Sequence, residues 1–120
     1  MDILQTKSAE LEERMIKFAV NTIAITRDLP KTTENQIISR QLIRSASSIG
    51  ANYAEANNAA SKIDFRNKIF IAKKETAETR YWLKLLPRVN SGLDAEDLMD
   101  ECSQFLFILQ KIISSLKNGQ

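Results

Sequence analysis

Apolar side chains recur at alternating spacings of four and three residues in four separate stretches of the chain. This spacing places them on one face of an α-helix, and it is the repeat around which left-handed helical bundles pack. No stretch shows the strict alternation of apolar and polar residues that a half-buried β-strand requires. Three glycines and two prolines leave few turns in 120 residues, which favours a small number of long elements. The sequence therefore predicts an all-α protein.

Capping and breaking signals predict where the helices begin and end. Thr33 and Ser61 each precede a second polar residue by three positions, which is the spacing of a capping box at a helix start. Pro30 and Pro87 predict the ends of the first and third helices. We predict one domain over residues 1–120, with helices at about 8–28, 34–58, 62–88 and 95–117. Short connections between long helices predict an antiparallel, up-down-up-down four-helix bundle.

The second predicted helix carries a polar stripe directly beside its apolar stripe. The polar side chains are mostly short and uncharged, so we expect neighbouring helices rather than solvent to enclose them. Carboxylates of the third helix and an arginine of the second are their expected partners. We therefore predict a buried polar network of Arg44, Ser45, Ser48, Asn52, Glu55, Glu75 and Glu78. Gly50, within the same helix, either permits a close backbone approach or marks a slight bend.

The absence of histidine limits the chemistry that the chain can perform. It removes the usual general base and the usual metal ligand. Glu55, Glu75 and Glu78 leave open a carboxylate-only metal site without the normal nitrogen ligands, but we favour the polar network for these residues. Cys102 occupies a core position of the fourth helix, and neither it nor the serines of the second helix has a base to activate it. The sequence predicts neither catalysis nor a bound cofactor.

Several large apolar side chains fall outside the four-three stripes of the third and fourth helices. They form either a subunit interface or the margin of one wide core, and we favour the interface. On the first helix, Ile16, Val20 and Ile23 are expected to widen the buried face. The residues outside the stripes are Ile71, Trp82, Leu85, Met99, Leu106, Ile108 and Ile113.

Positive charge is concentrated in the third helix. Residues 61–88 contain eight basic and three acidic residues, a balance of +5, whereas the whole chain has a net charge of +2. A row of cations with an aromatic residue can hold phosphates and stack a base. The alternative is a solvated face that the acidic fourth helix partly neutralises. We call this row the basic ridge and define it as Arg66, Lys73, Lys74, Arg80, Tyr81, Lys84 and Arg88.

Cysteine usage and the absence of long apolar runs predict the compartment. A lone cysteine cannot form an internal disulfide, which favours a reducing environment. The first residues lack the basic and then apolar pattern of a signal peptide, and no apolar run reaches the roughly 18 residues that span a membrane. We expect a cytoplasmic protein that does not associate with membranes.

The segment from Gln41 to Ala56 resembles the signature of the 23S rRNA-intervening-sequence proteins, also called four-helix bundle proteins. Phe65 and the segment Ile71–Leu83 are similar to the second block of that family. Asp28–Pro30 matches the end of its first helix, so the resemblance covers nearly the whole chain. Gly50 departs from the family pattern, in which proline is common, and this puts only the local bend in doubt.

The resemblance implies a bacterial protein whose four-helix bundle assembles into a barrel-like homopentamer. Related bundle proteins serve as accessory factors of diversity-generating retroelements, in which the pentamer engages a reverse transcriptase and nucleic acid. No catalytic residue carries over from the family. The positions that carry over are structural, namely Arg44, Ser48, Asn52, Glu55, Glu75 and Glu78.

These patterns and the resemblance together predict a non-enzymatic, oligomeric bundle whose basic ridge contacts RNA or DNA. The alternative is a protein–protein adaptor or scaffold that does not bind nucleic acid. The two hypotheses differ in whether the protein retains a polyanion, and such retention weakens as the salt concentration rises.

Overall fold

Four α-helices make up the part of the chain that the structure describes, residues 3–117. A computed structural model of the chain describes the side chains from Thr6 onward. Residues 3–117 contain no β-strand, so the predicted all-α class is confirmed. The outermost residues of the predicted domain, 1–2 and 118–120, lie outside this range. The helices are α1 (Ile3–Arg27), α2 (Thr33–Asn57), α3 (Lys62–Val89) and α4 (Glu96–Lys117).

The start of α1 differs from the prediction, since the helix begins at Ile3 and not near residue 8. Ser8 has the residue type of a helix cap, but its side chain serves another contact. The hydroxyls of Ser8 and Tyr53 lie 2.9 Å apart, and Asn57 Nδ2 donates to Ser8 Oγ at 2.8 Å. The serine therefore joins α1 to the last turns of α2 instead of capping the start of α1.

The other helix ends lie close to their predicted positions, with two local differences. Ser61 caps α3 as predicted, and its Oγ accepts a backbone N–H at 3.0 Å. The cap of α2 is Thr32, not Thr33, because the Thr32 hydroxyl is the one that accepts a backbone N–H, at 3.2 Å. Pro87 does not terminate α3, which continues to Val89. A proline so near a helix end removes only one hydrogen bond from the last turn.

One apolar core is shared by the four helices. Each helix packs against the next along the chain, and α1 also contacts α4. The rings of Phe18 in α1 and Phe105 in α4 meet edge to face, with centroids 5.4 Å apart. A Cβ atom at Gly50 of α2 would lie 3.1 Å from Met15 Cβ of α1. The glycine thus permits a close approach of α1 and α2, which was one of its two interpretations.

Two residues predicted to widen the buried face of α1 lie on the outside of the bundle. Ile16 is 48% exposed and Val20 is 58% exposed, whereas Met15, Phe18 and Thr22 are buried. The buried residues fill the contacts of α1 with its neighbours, and the other two lie roughly 100° or more around the helix from that face. The prediction for Ile16 and Val20 was wrong, and they form an exposed apolar pair four residues apart.

The apolar residues outside the stripes of α3 and α4 belong mainly to the margin of the core. Trp82, Leu85 and Met99 are half-buried and pack against the core cluster, and Ile113 is fully buried. Leu106 and Ile108 are also half-buried, whereas Ile71 is exposed. The wide-core alternative therefore accounts for Trp82, Leu85, Met99 and Ile113.

A pair of asparagines joins the start of α2 to the end of α3. Asn35 and Asn90 are both buried, and each amide nitrogen donates to the other side-chain oxygen at 2.8 Å. The remaining amide hydrogens reach the carbonyls of Pro30 and Leu86, both at 3.0 Å. Every polar group of the pair is satisfied, so removing one member leaves the other buried without its partner.

We expect Asn90→Ala to lower the free energy of unfolding by about 1–3 kcal/mol, because it leaves the buried Asn35 amide without its hydrogen-bond partner. Urea denaturation followed by circular dichroism measures this. The double variant Asn35→Ala/Asn90→Ala should lose less than the sum of the two single variants. Asn67→Ala, at an exposed position of α3, is the matched control and should change stability by less than about 0.5 kcal/mol. Equal losses at residues 67 and 90 would contradict the role of the pair.

Candidate functional site

Arg44 of α2 pairs with two carboxylates on successive turns of α3. Its Nη1 donates to Glu75 Oε2 at 2.8 Å, and its Nη2 donates to Glu78 Oε2. Glu75 is 8% exposed, whereas the Arg44 side chain is 47% exposed. The guanidinium therefore covers a buried carboxylate from the solvent side. Without a cation at this position, Glu75 would be an uncompensated buried charge.

Glu78 also fixes the aromatic residues near the end of α3. Trp82 Nε1 donates to Glu78 Oε2 at 3.0 Å. The Tyr81 ring meets the Trp82 ring edge to face, with centroids 5.1 Å apart and an interplanar angle of 76°. A continuous series of contacts thus runs from Arg44 through Glu78 and Trp82 to Tyr81, which is 58% exposed.

Hydrogen bonding shifts the protonation equilibria of this cluster. The Trp82 indole N–H, and after it the Arg44 guanidinium, hold the pKa of Glu78 below its usual range. The hydrogen bonds to Glu78 and Glu75 raise the pKa of Arg44. Both residues are therefore held more firmly in their charged forms than in an unfolded chain.

The rest of the predicted polar network is arranged differently. Ser45 is buried and its hydroxyl lies 2.8 Å from the Thr79 hydroxyl, so it meets α3 but neither carboxylate. Ser48 and Asn52 donate to carbonyls of their own helix four residues earlier, at 2.7 and 2.8 Å. Short polar side chains on a helix reach these carbonyls more readily than a neighbouring helix. Glu55 is exposed and pairs with Lys68 at 3.5 Å, so the predicted network was wrong for Ser48, Asn52 and Glu55.

The carboxylate metal site and the cysteine can be assessed from the same geometry. Glu55 lies with Lys68, whereas Glu75 and Glu78 lie with Arg44. Across residues 3–117, no three His, Cys, Asp or Glu side chains lie together as metal ligands would, and Glu55 is not brought together with Glu75 and Glu78. Burial raises the pKa of the Cys102 thiol to about 12, and the thiol donates to a backbone carbonyl at 3.3 Å. It is an un-ionised core side chain at neutral pH.

The basic ridge divides into two rows. Lys73 Nζ donates to Gln110 Oε1 at 2.5 Å, and Arg80 Nε donates to Ser103 Oγ at 3.2 Å, so both residues lie against α4. The second row faces solvent, and we call it the outer row. Within residues 3–117, no ridge residue takes part in an ion pair. The outer row consists of Arg66, Lys74, Tyr81, Lys84 and Arg88, all exposed.

The acidic residues of α3 do not share this exposed surface. Glu75 is buried, and Asp64 and Glu78 are half-buried. The exposed charges of α3 are therefore all positive, and the cations of the outer row give this side of the helix a positive field. Near the end of α3, Tyr81, Lys84, Leu85 and Arg88 line a shallow concavity of about 350 Å³.

Two features of the surface escaped the sequence analysis. Arg14 of α1 binds Glu101 of α4 through two hydrogen bonds of 2.6 and 3.1 Å, and it lies 5.3 Å from the centre of the Phe105 ring. The hydrogen bonds to Glu101 raise the pKa of Arg14. Phe107 is 65% exposed, with Lys111 Nζ 5.4 Å from its ring centre. The helical spacing of side chains cannot predict the contact between Arg14 and Glu101, because these residues are 87 positions apart in the sequence.

No helix within residues 3–117 combines the length and apolar character needed to cross a membrane.

Comparison with known proteins relates the chain to one family over most of its length. The model of the 23S rRNA-intervening sequence proteins matches residues 7–113. A crystal structure of a protein of unknown function from the S23 ribosomal protein family of Bacteroides thetaiotaomicron has a TM-score of 0.80 to this chain at 34% sequence identity. The match covers 90% of this chain and 98% of the other. No functionally curated protein matches the chain.

The low pKa of Glu78 predicts how the cluster responds to acid. Its stabilisation is fully present above the unfolded-state pKa of about 4.3 and is lost as the pH falls through the lower folded-state pKa. Glu78→Gln mimics the protonated form. We therefore expect the difference in Tm between wild type and Glu78→Gln to be largest near about pH 7 and to shrink below about pH 4. Thermal melts monitored by fluorescence of Trp82, the only tryptophan, measure it.

The matched control for this experiment is Glu13→Gln, at an exposed position of α1. It should leave Tm close to that of wild type at every pH. A Tm difference for Glu78→Gln that stays constant between about pH 7 and about pH 3 would contradict the proposed protonation linkage.

Proposed function

The chain belongs to the 23S rRNA-intervening sequence protein family, and from this premise we propose that it is a non-enzymatic, oligomeric bundle that binds nucleic acid through α3. The observation that carries the proposal is the outer row. Its cations form no ion pair among the described residues, and the acids of the same helix are buried or half-buried. Such a row suits a polyphosphate backbone, since each neutralised phosphate releases condensed counterions.

The proposal includes an antiparallel, up-down-up-down arrangement of the helices. Asn57, at the end of α2, donates to Ser8 near the start of α1. Asn35, near the start of α2, bonds Asn90 just beyond the end of α3. These links join the beginning of one helix to the end of the next, as neighbours of opposite direction do.

We further propose that copies of the chain assemble into a homopentamer, as the resemblance implies. The exposed pair Ile16 and Val20 supports an interface on α1, because both apolar side chains lie on one face of the helix. A closed ring repeats the outer row of every subunit around one axis. The summed positive field of such a ring attracts a polyanion more strongly than that of a single subunit.

The non-enzymatic part of the proposal rests on the side chains that are available. The chain has no histidine, and its one cysteine is a buried, un-ionised thiol. The hydroxyls of Ser45 and Ser48 are engaged within the bundle. A lone cysteine also fits the reducing cytoplasm of a bacterium, which is the location we propose.

A protein–protein adaptor or scaffold is the second candidate. The observation that favours it is the exposed apolar surface at Ile16, Val20 and Phe107. A reverse transcriptase is the partner class that the resemblance implies. An adaptor of this kind would retain a protein and remain indifferent to RNA, so nucleic-acid retention separates the two candidates.

The mass of the protein in solution tests the assembly. We expect light scattering to give about five times the chain mass of 13.6 kDa. The double variant Ile16→Lys/Val20→Lys should fall towards the chain mass, because it places two cations in the apolar contact. Asn21→Lys, at an exposed position of α1 away from that pair, should keep the wild-type mass. A wild-type mass of 13.6 kDa, or a double variant with unchanged mass, would contradict the proposed assembly.

Charge reversal of the outer row tests the binding of nucleic acid. We expect Lys74→Glu/Lys84→Glu/Arg88→Glu to weaken retention of a structured RNA and to flatten its salt dependence by about two to three in the slope of log K against log salt concentration. Fluorescence anisotropy of the labelled RNA at several salt concentrations measures both quantities. Reversal at Lys73 or Arg80 should have a smaller effect, because both already engage polar groups of α4.

The control for this experiment is Lys7→Glu/Lys31→Glu/Arg40→Glu, which changes three exposed cations elsewhere and alters the net charge equally. It should leave most of the affinity and slope unchanged, because it spares the outer row. Equal losses in the two triple variants would mean that only the overall charge matters. Wild-type binding that is absent at low salt, or insensitive to salt, counts against the proposal.

A further inference from the structure

We propose that the last turns of α3 form a stacking platform for single-stranded nucleic acid, on which Tyr81 receives one unpaired base while Lys84 and Arg88 hold neighbouring phosphates. This inference rests on the proposed nucleic-acid binding and specifies the form of its ligand. The residues concerned are exposed and line one concavity of about 350 Å³ together with Leu85.

The Tyr81 ring is held in place before any ligand arrives. Tyr81 is 58% exposed, yet its ring packs edge to face with the ring of Trp82, which restricts its orientation. Trp82 is in turn held by its hydrogen bond to Glu78, and Glu78 is held by Arg44. An exposed aromatic side chain normally loses rotamer freedom when a ligand stacks on it, which costs affinity. The contact with Trp82 removes part of that freedom in the free protein, so stacking of a base costs less entropy.

The spacing of the cations suits a strand that passes over the ring. Lys84 and Arg88 follow Tyr81 by three and seven residues, so all three lie on one face of α3. The helical rise places them about 4.5 and about 10 Å from Tyr81 along the axis. Within residues 3–117 neither cation forms an ion pair, so both are available to phosphates.

Stacking distinguishes a single strand from a duplex. In a duplex the base faces are covered by neighbouring bases, and a protein meets base edges and phosphates. In a single strand the base face is open and can stack on an aromatic ring, whatever its sequence. The cations can bind the phosphates of either ligand, whereas the Tyr81 ring can stack only on an unpaired base. An acidic peptide would likewise use the cations and make little use of the ring.

The experiment compares single-stranded oligouridine with an RNA duplex of equal length, using the full-length protein and fluorescence anisotropy. Tyr81→Ala should weaken binding of the single strand by about 5-fold to about 100-fold, the range for loss of one base–aromatic stack. It should leave duplex binding within about 2-fold of wild type. Tyr81→Phe keeps the ring and should retain single-strand affinity. Lys84→Gln/Arg88→Gln should weaken the binding of both ligands, because it removes phosphate contacts.

Trp82 gives a second readout at the site itself. As the only tryptophan, in contact with Tyr81, it should change its emission on addition of oligouridine to wild type, and much less in Tyr81→Ala. Tyr81 is exposed, so Tyr81→Ala should keep the wild-type circular dichroism spectrum. If the spectrum of Tyr81→Ala differs from that of wild type, the comparison is made between Tyr81→Phe, which keeps a stacking ring, and Tyr81→Leu, which lacks one.

The outcomes separate this inference from the function on which it rests. Salt-sensitive binding of both ligands with no selective loss in Tyr81→Ala would overturn the platform and leave nucleic-acid binding in place. Binding of neither ligand at low salt would overturn both. Competition by polyglutamate as effective as that by oligouridine, and equally unaffected by Tyr81→Ala, would assign the surface to acidic proteins and overturn the platform.

Discussion

The pairing of Arg44 with two carboxylates of α3 is the contact on which the exposed surface of that helix depends. It holds Glu75 and Glu78 on the side of α3 that meets α2, so the solvent side is left to cations. The same contact positions Glu78 to bind Trp82, against which the Tyr81 ring lies. A contact between α2 and α3 therefore helps to determine both the charge and the aromatic geometry that a ligand would meet on α3.

The small polar residues of the core serve packing, because their own helices satisfy them. Thr22, Thr76 and Thr79 are fully buried, and each hydroxyl donates to the carbonyl four residues earlier at 2.7 to 2.8 Å. In the described part of the chain, no buried side-chain nitrogen or oxygen lacks a partner. Short side chains of this kind let helices approach closely without leaving unpaired groups, as Gly50 does against Met15.

The features that could be predicted from the sequence are those that depend on residues close to one another along the chain. Spacing identified the helices and the buried stripe of α3, and cap chemistry identified Ser61 as the start of that helix. Features set by the distance between helices were not accessible in this way. The exposure of Ile16 and Val20 depends on where α2 and α4 lie, and the partners of Ser48 depend on whether a neighbouring helix comes closer than its own carbonyl. Spacing predicted one flank of Arg66, Lys73, Arg80 and Lys84 beside a row of Lys74, Tyr81 and Arg88. The structure places only Lys73 and Arg80 of that flank against α4, whereas Arg66 and Lys84 are exposed with the second row.

Photo-crosslinking of the full-length protein to an oligouridine that carries 4-thiouridine, with the crosslinked residues identified by mass spectrometry, shows which surface meets nucleic acid. We propose that this surface is the solvent face of α3, from which Arg44 draws Glu75 and Glu78 away. We therefore expect crosslinks within residues 74–88, with Tyr81 as the main site. Crosslinks concentrated on α1, α2 or α4 would contradict it.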